Sequence, residues 1–154
     1  KWNPAVKSAA DRAAVLTALL DGRIDVIATD HAPHTLEEKK QTYFKAPSGG
    51  PLVQHSLVAM IEMYKQGKIS LEKIAEKMAH AVADCFQIKQ RGYIREGYFA
   101  DLVLVDLNSS FLVNESNIIY KCAWSPFDGF EFHSKIKLFF ITQGFIKFVH
   151  HFIA

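Results

Sequence analysis

The sequence predicts an α/β fold, and three observations support this prediction. An apolar run, Ile24–Ala28, stops at the carboxylate of Asp30 and is followed at once by histidines. Apolar residues at helical spacing lie on both sides of that run, and the spacing becomes strand-like after residues 88–92. A buried strand that ends in Asp and His is typical of an α/β barrel, which presents metal ligands and proton carriers at that end. We therefore expect residues 1–90 to belong to a barrel and residues 91–154 to form a β lobe.

The first predicted helix begins at Ser8. Ser8 and Asp11 have the spacing of a capping box, and Gly22 is placed to end the helix. One apolar face is expected to consist of Ala9, Ala13, Leu16 and Leu20. A strand is then predicted from Arg23 to Thr29, followed by a long polar loop from Leu36 to Pro51. Long loops in compact domains are often lids or binding loops.

Two further helices are predicted before the β lobe. The first ends at Gly67, and its apolar stripe consists of Val53, Leu57, Met60, Ile61 and Tyr64. The second is capped by Ser70 and fades near Phe86, and its buried face consists of Leu71, Ile74, Ala75 and Met78.

In the β lobe, five short apolar stretches are predicted to contain strands, and the last two are joined by a tight turn at Gln143–Gly144. The stretches are Gly92–Gly97, which also contains a turn, Ala100–Asp106, Ile118–Ala123 and Ile136–Ile141, with Phe145–Val149 following the tight turn.

Composition narrows the possible functions. The 154 residues carry a net charge of +2 with scattered lysines and arginines, so nothing indicates a nucleic-acid partner. The apolar tail from Lys137 to Ala154 is interrupted by polar residues and is too short for the ~20 residues that a membrane span needs. Cys85 and Cys122 fit neither a metal motif nor a disulfide framework and are expected to be reduced thiols, as in a cytoplasmic protein.

Asp30 is the strongest candidate for chemistry. A carboxylate at the end of a barrel strand can ligate a metal that lowers the pKa of water to about 7, and it can also carry a proton. An aspartate in a turn or at a helix cap is the structural alternative. His31 has a weaker claim, because it could equally pack or hydrogen-bond to the backbone.

Three further positions could contact a substrate. The imidazole of His34 could bind a carboxylate, and the amide of Asn3 could hydrogen-bond an amide or carboxylate. Ser48 and Gly49 could offer backbone groups to a flat polar ligand, because glycine permits close approach. Ordinary loop and turn roles remain open for each of these residues.

These motifs together identify a resemblance. In order along the chain they are Asn3-Pro4, the string from Ile24 to His34 with Thr-Asp-His-Ala-Pro-His, Glu37-Glu38-Lys39, Ser48-Gly49-Gly50, Gly97 to Asp106, and Trp124-Ser125-Pro126-Phe127. The sequence resembles the bacterial-type dihydroorotases of the amidohydrolase superfamily. Hydantoinases and allantoinases share the Asp-His start but usually lack a histidine at the position of His34.

The resemblance implies a (β/α)8 barrel that carries two zinc ions, with a small composite β domain. It implies that Asp30 is a metal ligand and the acid/base group, and that Asn3 and His34 contact dihydroorotate. Ser48 and Gly49 would meet the pyrimidine ring through their backbone. The implied reaction is the reversible hydrolysis of dihydroorotate to N-carbamoyl-L-aspartate in pyrimidine biosynthesis, with small molecules as the partners.

The resemblance also predicts what the chain lacks. The family's other metal ligands lie upstream of the position that matches Lys1, so we expect a C-terminal third that is inactive alone. The unpaired strand edges would favour self-association, such as a homodimer, if nothing covers them. Two alternatives stay open: a non-catalytic dihydroorotase-like scaffold, and another cyclic amidohydrolase such as a hydantoinase or allantoinase.

Overall fold

A computed structural model describes residues 1–140 of the chain. The described part has mixed helical and strand content. The helices are α1 (Ala9–Leu20), α2 (Leu36–Lys39), α3 (Ser56–Lys65), α4 (Leu71–Ala75) and α5 (Ala81–Cys85), and the strands are β1 (Leu102–Asp106), β2 (Phe111–Leu112), β3 (Glu131–Phe132) and β4 (Lys135–Phe140). No helix among these residues is long and apolar enough to cross a membrane.

Helix α1 confirms its prediction at both ends. The hydroxyl of Ser8 accepts from the amide of Asp11 at 3.2 Å, and the Asp11 carboxylate accepts from the Ser8 amide at 3.0 Å. Gly22, with φ +90°, follows the last turn. The predicted face is shifted, because Leu19 is buried against Ile69 and Ile74 whereas Leu20 is exposed.

The predicted strand from Arg23 to Thr29 is wrong for the described residues, which form no strand there. The amide of Ile27 donates to the carbonyl of Lys77 at 3.0 Å, which is a contact with a helical turn. A strand is defined by a ladder to a neighbour, and none of the described segments forms a ladder with this one. The nearest sheet-like contact is a parallel bridge between His31 and Gly50.

A π-helical turn joins α4 to α5 and frees that carbonyl. In the turn Glu76–His80, the amide of Ala81 bonds to the carbonyl of Glu76 instead of that of Lys77. The Lys77 carbonyl is therefore available to Ile27, three residues before Asp30. The helical run predicted after Ser70 is confirmed, and its end coincides with Phe86.

The loop predicted from Leu36 to Pro51 contains one short helix that sequence analysis did not anticipate. Thr35 caps α2, and its hydroxyl accepts from the Glu38 amide at 3.2 Å while the Glu38 carboxylate accepts from the Thr35 amide at 2.7 Å. The remainder of the segment is irregular. The helix predicted around Val53 is confirmed as a 3-10 turn, Val53–His55, followed by α3.

Two of the predicted strands in the β lobe are confirmed. β1 and β4 pair antiparallel, from Leu102 opposite Phe140 to Asp106 opposite Lys135, with an irregularity between Leu104 and Val105. The predicted turn at Gln143–Gly144 and the strand Phe145–Val149 lie outside the described residues.

The other two strand predictions are wrong. Ile118–Ala123 is irregular, and the side chain of Gln54 takes the place of a strand partner at its start, accepting from the Ile119 amide at 3.0 Å and donating to the carbonyl of the preceding Asn117 at 2.7 Å. Gly92–Gly97 forms bends and the predicted turn but no strand, since both glycines have positive φ. β2 and β3, which pair antiparallel, were not predicted.

The helices and strands share a core cluster. Val58 of α3 packs with Val113 and with Phe132 of β3. The buried ring of His55 stacks on Phe132, with centroids 5.8 Å apart. The division of the chain at residue 90 stays a prediction.

Candidate active site

Asp30 occupies an exposed position with a strained backbone. Its φ is +46°, a left-handed conformation that aspartate tolerates better than most residues. Within the described residues its carboxylate has no hydrogen bond or ion pair, so both oxygens are available to a ligand. Strain of this kind concentrates at functional sites.

The neighbouring His31 has a structural role. Its Nδ1 accepts from the backbone amides of Leu52 at 3.1 Å and Val53 at 3.4 Å, so Nδ1 carries no proton. The amide of Ala32 donates to the carbonyl of Gly50 at 3.0 Å. Of the two alternatives for His31, the backbone hydrogen bond is the one observed, and it ties the Asp30 segment to residues 47–53.

Gly49 fits a position that no other residue could occupy without strain. Its φ is +96°, and a Cβ added there would lie 2.6 Å from the Cβ of Ala32. Its amide donates to the carbonyl of Lys1 at 3.0 Å. Three chain segments, around residues 1, 32 and 49, therefore meet at this glycine.

Lys39 binds the same loop from the other side. Its ammonium donates to the carbonyls of Gly49 at 2.6 Å, Pro47 at 3.0 Å and Lys1 at 3.3 Å. It also lies 5.9 Å from the ring of Trp124. Lys39 extends from the last turn of α2, so the unpredicted short helix positions it.

Trp124 holds the backbone of the His34 segment. Its indole N–H donates to the His34 carbonyl at 2.8 Å. A Cβ at Gly50 would lie 3.1 Å from the Trp124 ring and 3.2 Å from the Trp2 ring, so both tryptophans flank this glycine. The His34 ring itself is half-buried, and its Nδ1 is 3.9 Å from the Glu38 carboxylate.

The structure brings the segments of the predicted site together but not all of its side chains. Asn3 is exposed next to Trp2, and Ser48 is half-buried beside Gly49. Among the described residues, the side chains of Asp30, Asn3, His34 and Ser48 make no hydrogen bond to one another. Each of these four side chains therefore keeps polar atoms without a hydrogen-bond partner among the described residues.

Lys39 and Trp124 were not predicted from the sequence as site residues. Both occur in strings that carry the family resemblance, and that was the one signal available. Their partners are 8 to 10 residues away for the main contacts of Lys39 and 90 residues away for Trp124. Local spacing does not encode such contacts.

The described residues fit a metal only in part. Within residues 1–140, no group of three or more His, Cys, Asp or Glu side chains could hold a metal ion. Asp30 offers two unbonded carboxylate oxygens, which suits one ligand of a larger set. Cys85 and Cys122 are free thiols, as expected.

Comparison with known proteins gives the family. The family model described as "Amidohydrolase family" matches residues 4–144. The chain is 40% identical over 129 residues to the dihydroorotase of Halobacterium salinarum, covering 84% of this chain and 31% of that protein. It is 38% identical over 138 residues to the dihydroorotase of Clostridium acetobutylicum, covering 89% of this chain and 32% of that protein. The chain thus spans about a third of the length of the curated relatives it matches.

Solved structures of hydantoinases share the fold of the described residues. L-hydantoinase from Arthrobacter aurescens matches with a TM-score of 0.84 and 29% identity, covering 94% of this chain and 33% of that one. D-hydantoinase from Thermus sp. matches with a TM-score of 0.83 at 21% identity, covering 91% and 32%, which supports the fold alone. Because the family model covers nearly all of the chain, including the segments that meet at Gly49, this chain belongs to the amidohydrolase family.

Proposed function

We propose that this chain is the C-terminal third of a zinc-dependent dihydroorotase, which interconverts dihydroorotate and N-carbamoyl-L-aspartate in pyrimidine biosynthesis. The observation that carries the proposal is the meeting of the Asp30 and His34 segments with Gly49. The identity of 35–40% to dihydroorotases supports the substrate assignment.

The same proposal accounts for the irregular backbone before Asp30. In a (β/α)8 barrel, residues 23–29 would be a strand with neighbours on both sides, and Asp30 would lie at the catalytic rim. The proposed composite β domain would likewise supply neighbours for the two-stranded β1–β4 sheet, which is too small to be stable alone.

Substrate binding is assigned to four residues. His34 and Asn3 would bind the carboxylate and amide groups of dihydroorotate. Ser48 and Gly49 would contact the flat ring through their backbone, which the positive φ of Gly49 brings close to the 30–34 segment. Asn3, His34 and Ser48 carry side-chain polar atoms that have no hydrogen bond among the described residues. The Gly49 amide donates to Lys1 and its carbonyl accepts from Lys39, so a contact with the ring would use the second lone pair of that carbonyl.

Asp30 is assigned two tasks. With ligands from elsewhere in the protein it would hold zinc, which supplies Lewis-acid activation of water and of the ring carbonyl. In hydrolysis, the attacking water adds to the ring amide carbon and loses a proton to the Asp30 carboxylate. The C–N bond then breaks, and Asp30 delivers that proton to the departing nitrogen.

The test is turnover of dihydroorotate by the zinc-loaded full-length protein, followed in both directions. Asp30→Asn is expected to lower kcat by roughly 10²- to 10⁴-fold, the usual contribution of a general acid/base. Asp25→Asn is the matched control, because Asp25 is also an exposed carboxylate without a hydrogen bond among the described residues. Equal activities of the two variants would contradict the role of Asp30.

A hydantoinase is the second candidate, favoured by the structural match to L-hydantoinase. Dihydroorotate carries a carboxylate that simple hydantoins lack. His34→Ala is therefore expected to raise KM for dihydroorotate and to leave KM for hydantoin unchanged. Turnover of hydantoin alone would favour the second candidate, and no turnover of either would favour a non-catalytic scaffold.

The remaining assignments follow from the proposed activity. We place the protein in the cytoplasm, where its small-molecule substrates and its free thiols fit. A homodimer is proposed as its assembly state, to be tested by the mass of the full-length protein in solution.

A further inference from the structure

We propose that Lys39 is a positioning residue that holds the substrate loop, residues 47–50, in its binding conformation. This inference rests on the proposed function, because the loop is the part of the site assigned to the substrate ring. Lys39 touches no proposed reacting atom, so its effect would pass through the loop backbone.

The contacts of Lys39 match the chemistry of its ammonium group. A lysine ammonium has three N–H donors, and Lys39 has three carbonyl acceptors, those of Gly49, Pro47 and Lys1. Hydrogen bonds from a charged donor are stronger than neutral ones, and this side chain is half-buried, where screening by water is reduced. The Lys39 ammonium therefore joins the loop at residues 47–50 to the backbone of Lys1.

The loop at residues 47–50 has few other contacts that would hold its backbone, which explains why the Lys39 ammonium matters. Gly49 and its neighbours form no strand and have one parallel bridge to His31. The carbonyls of Pro47 and Gly49, two residues apart, both accept from one ammonium, whose positive charge offsets the repulsion between the two converging carbonyl dipoles. The Gly49 amide is thereby held toward Lys1, and the loop stays against Ala32.

Trp124 adds a second connection to the same group. The Lys39 ammonium lies over its ring, and its indole N–H holds the backbone of His34. A cation over a tryptophan face is a favourable contact. Lys39 and Trp124 together therefore connect the loop to the backbone of His34, the residue that we propose binds the substrate carboxylate.

The experiment compares Lys39→Met with Lys40→Met in the full-length protein. Lys40 is the next residue, carries the same charge, is exposed, and makes no side-chain hydrogen bond or ion pair among the described residues. Lys39→Met is expected to raise KM for dihydroorotate at least about tenfold, the effect of losing one or more charge-assisted hydrogen bonds, with kcat within about threefold. Lys40→Met is expected to leave both unchanged.

A second measurement tests the conformation of the loop and does not depend on enzyme activity. Hydrogen exchange of the peptide that contains Gly49 and Gly50 is expected to accelerate about tenfold in Lys39→Met and to stay the same in Lys40→Met. Lys39→Gln, which keeps a polar side chain, is made alongside in case the methionine variant does not fold, with the same expected direction.

The outcomes separate this inference from the proposed function. Unchanged exchange in both Lys39 variants overturns the inference, whatever the activity. Faster exchange with unchanged KM also overturns it, because the loop would then not govern substrate binding. A wild-type protein without dihydroorotase activity refutes the proposed function. The hydrogen-exchange data still test whether Lys39 holds the loop.

Discussion

A methyl group at Gly49 is the sharpest perturbation that this structure offers. Gly49→Ala forces a residue with a side chain into φ +96°, which costs roughly 1–2 kcal/mol. The new Cβ would also lie 2.6 Å from the Cβ of Ala32, and overpacking of this kind costs about 1–3 kcal/mol. The expected loss in the free energy of unfolding is therefore about 2–5 kcal/mol.

Gly22 provides the matched control for this substitution. Its φ is +90°, close to that of Gly49, but a Cβ there has nothing within 4 Å. Gly22→Ala should pay the conformational cost alone, roughly 1–2 kcal/mol. The difference between the two variants isolates the contact with Ala32.

The assay is urea unfolding of the full-length protein, together with KM for dihydroorotate. Adding Ala32→Gly to Gly49→Ala should recover the steric share, giving a favourable coupling of about 1–3 kcal/mol in the double-mutant cycle. Equal destabilisation by Gly49→Ala and Gly22→Ala, or a coupling near zero, would refute the close packing of the loop on the Asp30 segment.

Four further expectations concern other residues of the site and core. Asp30→Asn should leave the free energy of unfolding within about 0.5 kcal/mol, as measured by urea unfolding, because the carboxylate has no partner among the described residues and asparagine also tolerates φ +46°. Trp124→Phe should destabilise by about 0.5–1.5 kcal/mol and raise KM for dihydroorotate, since the His34 carbonyl loses its donor; an unchanged KM would disconnect Trp124 from the site. Burial lowers the pKa of His55, so stability should be full above about pH 6.5 and fall as the pH drops below it, when the unfolded chain takes up a proton that the buried ring does not; His55→Gln should flatten that profile in urea unfolding at pH 5 to 8. Chelation should abolish turnover by the full-length protein and added zinc should restore it, whereas turnover that persists in chelator would contradict metal dependence.

Local chemistry explains what could be predicted from the sequence. The capping box of α1 uses Ser8 and Asp11, three residues apart, and its geometry is complete without the rest of the chain. The turn at Gly97 and the strand β1 have similarly local signals. Local spacing was not always sufficient, because the capping box of α2, formed by Thr35 and Glu38, is equally local and was not predicted.

The failures have non-local causes. Residues 118–123 have the composition of a strand, but the side chain of Gln54, more than sixty positions away, accepts from the Ile119 amide and donates to the carbonyl of the preceding Asn117. Residues 23–29 have the pattern of a buried strand but no neighbour among the described residues, so no ladder forms. In both segments the apolar sequence pattern indicates burial and β propensity, but a strand forms only where a neighbouring strand provides hydrogen-bond partners.

The candidate site shows the same division. The roles of Asp30 and His34 were predicted from residue type, spacing and the family resemblance, and they stay predictions. Lys39 and Trp124 were missed as site residues because their importance depends entirely on which carbonyls they reach. A lysine beside two glutamates looks like an ordinary solvated helix face until the loop folds onto it.

The side chains of the candidate site divide into those with hydrogen-bond partners and those without, and this division indicates how the site would bind a ligand. The side chains of His31, Lys39 and Trp124 form hydrogen bonds with backbone atoms of Leu52, Gly49 and His34, respectively. The carboxylate of Asp30 is left unbonded, and the His34 ring has only a distant carboxylate at 3.9 Å. A site built this way fixes its backbone before a ligand arrives and keeps its reactive groups unpaired, which lowers the entropic cost of binding. The strained backbone at Asp30 persists because the contacts on either side of it, from Ile27 to Lys77 and from Ala32 to Gly50, determine its path.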